Sequence, residues 1–382
     1  MAKINRLWHY LMPFATDSTG VCSLFCDADA VVVGMDPGAT AVRCYPFTEQ
    51  RQDKTARYKG MQVGELDAVV GKLDESLDRL HLLTDEDRAE FIVLVGTPVA
   101  SMIGVDLKAL AKRFEKESGR TVMGFSTTGN RYYDEGMSEA LRSIYDRHFR
   151  QYGDSEKTDN PFLNENEKKE TGQLKAISLL GWNTLDFPEE TLRNKVMEHL
   201  EQHHMRICSI WGMKTTGENW RHLPEADLNV VCSASGYRLA EKIKKNHGIP
   251  FVFLDELLEK TGGLELLDGN LLIPEQCRRV LIIGEQITSN ALRRRIRELD
   301  RLSGNTRREI VNAGFFLMNS KQMEEQDIRL KSEDDLKRLL TEGAFDLVIG
   351  DPMFRLMADS TRRFISRKHP PVSGSFADQF SD

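Results

Sequence analysis

The chain has 382 residues, with 52 Lys+Arg against 59 Asp+Glu, a formal net charge of −7, and 40% hydrophobic and 29% charged residues. That length predicts two or three domains, and the mildly acidic balance argues against bulk attraction to nucleic acid or an anionic membrane. No apolar run approaches the ~18–20 residues of a membrane span. The first thirty residues, with Asp17, Asp27 and Asp29, show no secretory core. Six cysteines are too few for a disulfide scaffold, which points to a reducing, cytoplasmic compartment.

Short β-branched runs alternate with amphipathic stretches along the chain. Ala30–Gly34 reads as a buried strand followed by the loop Met35–Thr40, and Phe91–Gly96 as a second strand. Asp106–Ser118 has helical spacing and stops at Gly119, Thr121–Phe125 is a third strand, and a helix runs from about Glu135 to Phe149. Residues 151–174 are polar, charged and without periodicity, and read as a linker or surface excursion. A second unit follows, with strands at Ala176–Gly181, Arg206–Trp211, Leu228–Cys232 and Phe251–Leu254 and helices at Pro188–His203 and Tyr237–Asn246. A third has strands at Val280–Ile283, Glu309–Phe315 and Phe345–Ile349 and helices at Ala291–Leu299 and Glu333–Leu340. The expected fold is α/β, three units each built on a mainly parallel sheet flanked by helices. The expected boundaries are 1–155, a 156–174 linker, 175–268 and 269–382, with ligands at the carboxyl ends of the strands.

Cys22, Cys26 and Cys44 lie within 23 residues of one another around the first strand. Soft thiolates gathered by a loop suit a soft metal or an iron–sulfur cluster, although their spacing matches no standard closed zinc site; Cys26 and Cys44 read equally as small core hydrophobes. Cys232 ends a buried strand on the ligand side. His199 and His203 stand four apart on a helix and, with His204, read as a solvated helix end. His369 precedes the rigid Pro370-Pro371 and is a conceivable proton donor. The run Arg293-Arg294-Arg295-Ile296-Arg297 reads as a solvated or partner-facing helix face. No G-x-x-x-x-G-K-[ST] motif is present, so no nucleotide is expected on this chain.

Several segments, in order, resemble component 1 of nitrogenase and the nitrogenase-like oxidoreductases. Asp17–Ser23 is similar to the family's first cluster-cysteine segment, Val31–Thr40 to its strand and D-P-x-G-C loop, and Gly96–Asp106 to its C-x-x-x-L-I-G-D-D segment. Ser126–Asn130 with Tyr133 and Gly136 resembles the T-T-G-F loop, and Leu228–Cys232 to Pro250 the middle domain. Gly284-Glu285-Gln286, Asp346–Gly350 and His369–Gly374 resemble the last domain. The resemblance implies three Rossmann-like domains, pairing with a homologous subunit, and an iron–sulfur cluster, 4Fe-4S, shared at the subunit interface. It also implies electrons from a separate ATP-dependent iron–sulfur reductase.

On this resemblance Cys22 matches the first cluster cysteine, while Thr40 and Thr97 stand at the second and third positions. Threonine is a poor, hard ligand beside thiolate, so Cys26 and Cys44 are the substitutes within reach, with Asp36 a further oxygen donor. Cys232 falls where nitrogenase's catalytic subunit holds its metallocluster, and His369 is near the histidine partner of that cluster but in different surroundings. Two other readings stand beside the electron-transfer subunit: a cluster-free scaffold subunit of such a complex, and a small-molecule-binding module with an interdomain cleft.

Overall fold

Parallel strands need crossovers, and the crossovers here are helices laid on both faces of three separate sheets. The computed structural model describes residues 9–26, 28–36, 58–62, 73–102, 104–149, 175–213, 217–268, 271–304, 308–358 and 363–379. Cys44, Thr40 and the segment 156–174 lie outside them.

The first sheet has the order β2-β1-β3-β4, from β1 Ala30–Asp36, β2 Tyr58–Gln62, β3 Phe91–Gly96 and β4 Thr121–Phe125. The second has β6-β5-β7-β8, from β5 Lys175–Leu180, β6 Met205–Trp211, β7 Leu228–Val231 and β8 Phe251–Phe253. The third has β11-β10-β9-β12-β13, from β9 Arg279–Ile283, β10 Glu309–Gly314, β11 Ile328–Arg329, β12 Leu347–Gly350 and β13 Arg363–Ser366. Every pairing between these strands is parallel. In each sheet the order reverses beside its first strand: between β1 and β3, β5 and β7, and β9 and β12. Such reversals open a crevice at the carboxyl ends of the strands.

The central strands read as unbroken apolar runs because both faces are covered. In β1, Val31 and Val33 pack with Ile92, Leu94, Leu107 and Phe114 on one side, while Ala30 and Val32 join Phe25, Phe91, Val93 and Tyr133 on the other. The helix Leu107–Ser118 starts on Asp106, whose carboxylate accepts from Ala109 N at 3.0 Å, and ends on Gly119 at φ 69°. The helix Glu333–Glu342 starts on a reciprocal capping box of Ser332 and Asp335.

A helix the sequence reading did not anticipate, Asp17–Cys26, carries Cys22 and Cys26. The expected loop of cysteines is therefore, over this stretch, one helical turn. Its Ser, Thr and Gly residues are poor helix formers, and the helix stands on packing against Tyr133–Phe149. Gly20 lies against the Tyr133 carbonyl and Gly136 against the Asp17 carbonyl, each leaving no room for a Cβ. Gly136→Ala is therefore expected to destabilise the fold by about 1–3 kcal/mol, read as a lowered urea midpoint. Ser143→Ala on the same helix should leave the midpoint nearly unchanged.

Candidate functional site

Two strand-end regions hold the residues singled out from sequence. The first surrounds Asp17, whose side chain is completely buried. Its carboxylate accepts from Thr128 N (3.1 Å), Gly129 N (3.0 Å) and Arg131 Nε (3.0 Å), which fixes the loop leading into Tyr133–Phe149. The Thr127 hydroxyl donates to the Gly96 carbonyl. Cys22 is buried among Val21, Leu24 and Phe25, and Cys26, one turn on and half-buried, packs against the same cluster. Thr97 is buried after β3, where its hydroxyl accepts from Ala100 N at 3.3 Å and caps the short helix Pro98–Met102. Two thiols on one helical turn and a threonine holding a helix end do not by themselves fit a three-thiolate cluster. Among the described residues no group of three or more His, Cys, Asp or Glu is placed to hold a metal ion.

The second region is the junction of the three sheets. Tyr133 comes from the first unit, Asp186 from the loop after β5, Glu285 from the turn after β9, and His369 from the segment after β13. The Tyr133 hydroxyl donates to Asp186 Oδ1 and lies 3.3 Å from His369 Nε2, which is itself 3.2 Å from Asp186 Oδ1. Asn183 Nδ2 donates to Asp186 Oδ2 at 2.7 Å. The His369 N–H and the Ser373 hydroxyl both donate to Asp351 Oδ2, at 2.8 and 2.7 Å. Glu285 Oε2 accepts from Thr288 N and caps the helix Gln286–Ser303, while Oε1 accepts from Ala234 N at the start of Ala234–His247, both at 2.9 Å. Asp134 accepts from Leu317 N and, at 2.9 Å, from Glu135 N. A cavity of about 30 Å³, room for a water or two, is lined by Asp186, Glu285, Thr288, Ser289, Arg367 and His369 among others.

Burial governs the acids here. It raises the Glu285 carboxyl to about 8, with the Asp186 charge adding to it, against the N–H groups of Thr288 and Ala234. It raises Asp134 to about 7, with Asp186 and Glu135 adding, against the Leu317 N–H. The Tyr133 phenol is pushed well above its usual range by burial and then by Asp186. Cys232 is fully buried next to Ser233; its thiol points to the Val230 carbonyl at 3.5 Å, and burial holds its pKa well above the ordinary thiol range. In this structure it is packed in the core.

Other readings resolve plainly. His203 and His204 are exposed at the helix end, and His199 Nε2 meets Thr261 Oγ1 at 2.9 Å. The arginine run is partly buried and paired with acids, with Arg297 exposed. Arg293, 3% exposed, pairs with Asp327 at 2.7 Å; Arg294 pairs with Asp255 at 2.8 Å, Arg295 with Asp268 at 2.9 Å, and Arg297 with Glu324 at 2.6 Å. Asp186 carried no sequence signal beyond following a strand; Glu285 and Tyr133 were marked only through the family segments.

The model of the family described as Nitrogenase component 1 type Oxidoreductase matches residues 32–262. Solved structures described as nitrogenase Cp1 at pH 5 and at pH 6.5 share the fold. The first has a TM-score of 0.60 at 14% identity over 91% of this chain and 81% of that one. The second has 0.56 at 14% identity over 100% and 80%. No curated protein sequence matches. The chain belongs to the nitrogenase component 1 type oxidoreductases, a family whose members generally bind iron–sulfur clusters and work with a homologous subunit and a reductase. Among the described residues no helix is long and apolar enough to cross a membrane.

Glu285 gives the junction a pH signature. Its folded pKa of about 8 lies above the ordinary 4.5, so the folded chain holds a proton that the unfolded chain releases. That contribution to stability is complete below about pH 4.5 and is lost as pH rises toward 8. Urea midpoints of the wild type should fall across this window by an amount worth about a few kcal/mol. Glu285→Gln should flatten the fall without abolishing it, because Asp134 titrates with the same sign.

Proposed function

We propose that this chain is a subunit of a nitrogenase component 1-like oxidoreductase complex, paired with a homologous subunit and receiving electrons from a separate ATP-dependent iron–sulfur reductase. The reaction site is the junction of the three units, where a substrate or metallocofactor would bind once the small cavity there widens. The observation that carries this reading is the convergence of Tyr133, Asp186, Glu285 and His369 from three units. Reduction of a bound group consumes protons as well as electrons, and acids that stay protonated near neutral pH are suited to give them. Glu285 and Asp134 are such acids, and Asp186 orients the Tyr133 hydroxyl and His369 ring beside them. The lack of a phosphate-binding motif fits a chain that leaves ATP hydrolysis to its reductase. Cys22, with Cys26 and Cys44, supplies the thiols that an iron–sulfur cluster at the subunit interface, 4Fe-4S in type, would draw on.

A second reading, a subunit of the same complex without its own cluster, is favoured by the burial of Cys22 in an apolar cluster and by the helix cap made by Thr97. Anaerobic purification with the homologous subunit, followed by iron and acid-labile sulfide analysis, separates the two. With a cluster, about four irons per pair are expected, strongly lowered by Cys22→Ala and unchanged by Cys277→Ala, a cysteine buried in the apolar cluster of the third sheet. A complex that forms without iron selects the cluster-free subunit. A chain that purifies alone, without iron, overturns the complex and leaves a small-molecule-binding module.

A further inference from the structure

Two helices from different units start together at the junction and run side by side to the surface. At the start of Tyr133–Phe149 stand Tyr133 and Asp134; at the start of Ala234–His247 the Ala234 N–H donates to Glu285. Near these starts Ser235 Oγ meets Met137 Sδ at 3.6 Å. At the far ends Tyr145 meets His247 Nε2 at 2.7 Å, Asn246 donates to Tyr145 at 3.0 Å, and Lys242 pairs with Asp146. The helices are therefore parallel neighbours. Their seam leads from the buried acids to Lys242 and Asp146, whose side chains are 33% and 38% exposed.

Along Tyr133–Phe149 runs a polar stripe. Glu135, Ser138 and Arg142 stand at i, i+3 and i+7, on one face of the helix. That face turns away from Asp17–Cys26, which packs on the side of Tyr133, Gly136 and Met137. Glu135 is 4% exposed and Ser138 0%. Glu135 Oε2, Ser138 Oγ and Arg142 Nε are buried atoms without a hydrogen-bond partner among the described residues. An unmade bond at each would cost about 1–3 kcal/mol. Three in a row on one face, between the surface and a set of buried acids, call for ordered water as the missing partner.

We propose that water held along Glu135, Ser138 and Arg142 carries protons between the surface at Asp146 and Lys242 and the junction acids Asp134 and Glu285. The path rests on the reading of the junction as a proton-donating reaction site. When Glu285 or Asp134 gives its proton to a bound group, a carboxylate is left. One proton moving inward from solvent along the waters restores the acid; no heavy-atom bond changes and no electron moves in that step. Asp186, Tyr133, His369 and Arg367 face Glu285 from the other elements, and none of them lies on the stripe.

The test uses infrared spectroscopy on the full chain, with no substrate added. The carbonyl stretch of protonated Glu285, identified by its loss in Glu285→Gln, is followed after rapid transfer from H2O to D2O at pH 6. Ser138→Val and Glu135→Gln are expected to slow the isotope shift of that band by about tenfold or more, the loss of about one hydrogen bond from the path. The amplitude of the band should not change. Ser138→Ala, which removes the hydroxyl without crowding the seam, should slow it in the same direction. Exchange at the wild-type rate in all three variants overturns the path while leaving the junction reading intact. Absence of the Glu285 band in the wild type overturns the junction reading, and the path with it.

Discussion

The carboxyl group of Glu285 holds two helix starts at once. It caps the helix that follows it through Thr288 N and accepts Ala234 N from a helix of another unit. Two N–H donors and two helix N-termini favour the anion; removal from water and the Asp186 charge oppose it, and the opposition wins. The join between the second and third sheets thus rests on a carboxyl that keeps its proton near neutral pH. An acid in that state retains acceptor oxygens for both backbone N–H groups and gains a proton to give. The first sheet enters the same join through Tyr133, which reaches Asp186 of the second unit beside His369 of the third.

The two strand-end regions use their polar groups differently. Around Asp17 the side chains hold backbone: a carboxylate gathers two loop N–H groups, Thr97 caps a helix, and Thr127 reaches the Gly96 carbonyl. At the junction the side chains meet one another, and several charged or ionisable groups share one small space. Clusters of the second kind are where pKa values move and where chemistry is arranged. The chain concentrates its ionisable groups at the crevice between sheets.

Much of the architecture was legible because buried parallel strands announce themselves. Ala30–Asp36 and Phe91–Gly96 are apolar on both faces, and no alternation obscures them. The helix Asp17–Cys26 was not legible, since its residues favour other conformations and it is secured by packing against a second helix, with Gly20 and Gly136 at the contact. The pairing of the arginine run was not legible for a related reason. Its acids, Asp255, Asp268, Glu324 and Asp327, come from other elements, and a one-dimensional charge pattern shows only the basic half of each pair. Asp186 and His369 meet across 183 residues. Nothing local marks Asp186; it matters because the order of strands β5 and β7 reverses beside it.

The same join that creates the site also closes it. The cavity at Glu285 admits a water or two, so a larger ligand reaches these acids only if the units part along the contacts that bind them. Those contacts include the Glu285–Ala234 bond and the Tyr133, Asp186 and His369 cluster, which surround the acids of the junction. Opening the crevice would hydrate Glu285 and lower the burial that keeps it protonated; closing it over a ligand would restore that burial. On the proposed function, a ligand that held the units together would raise the pKa of the group placed to protonate it.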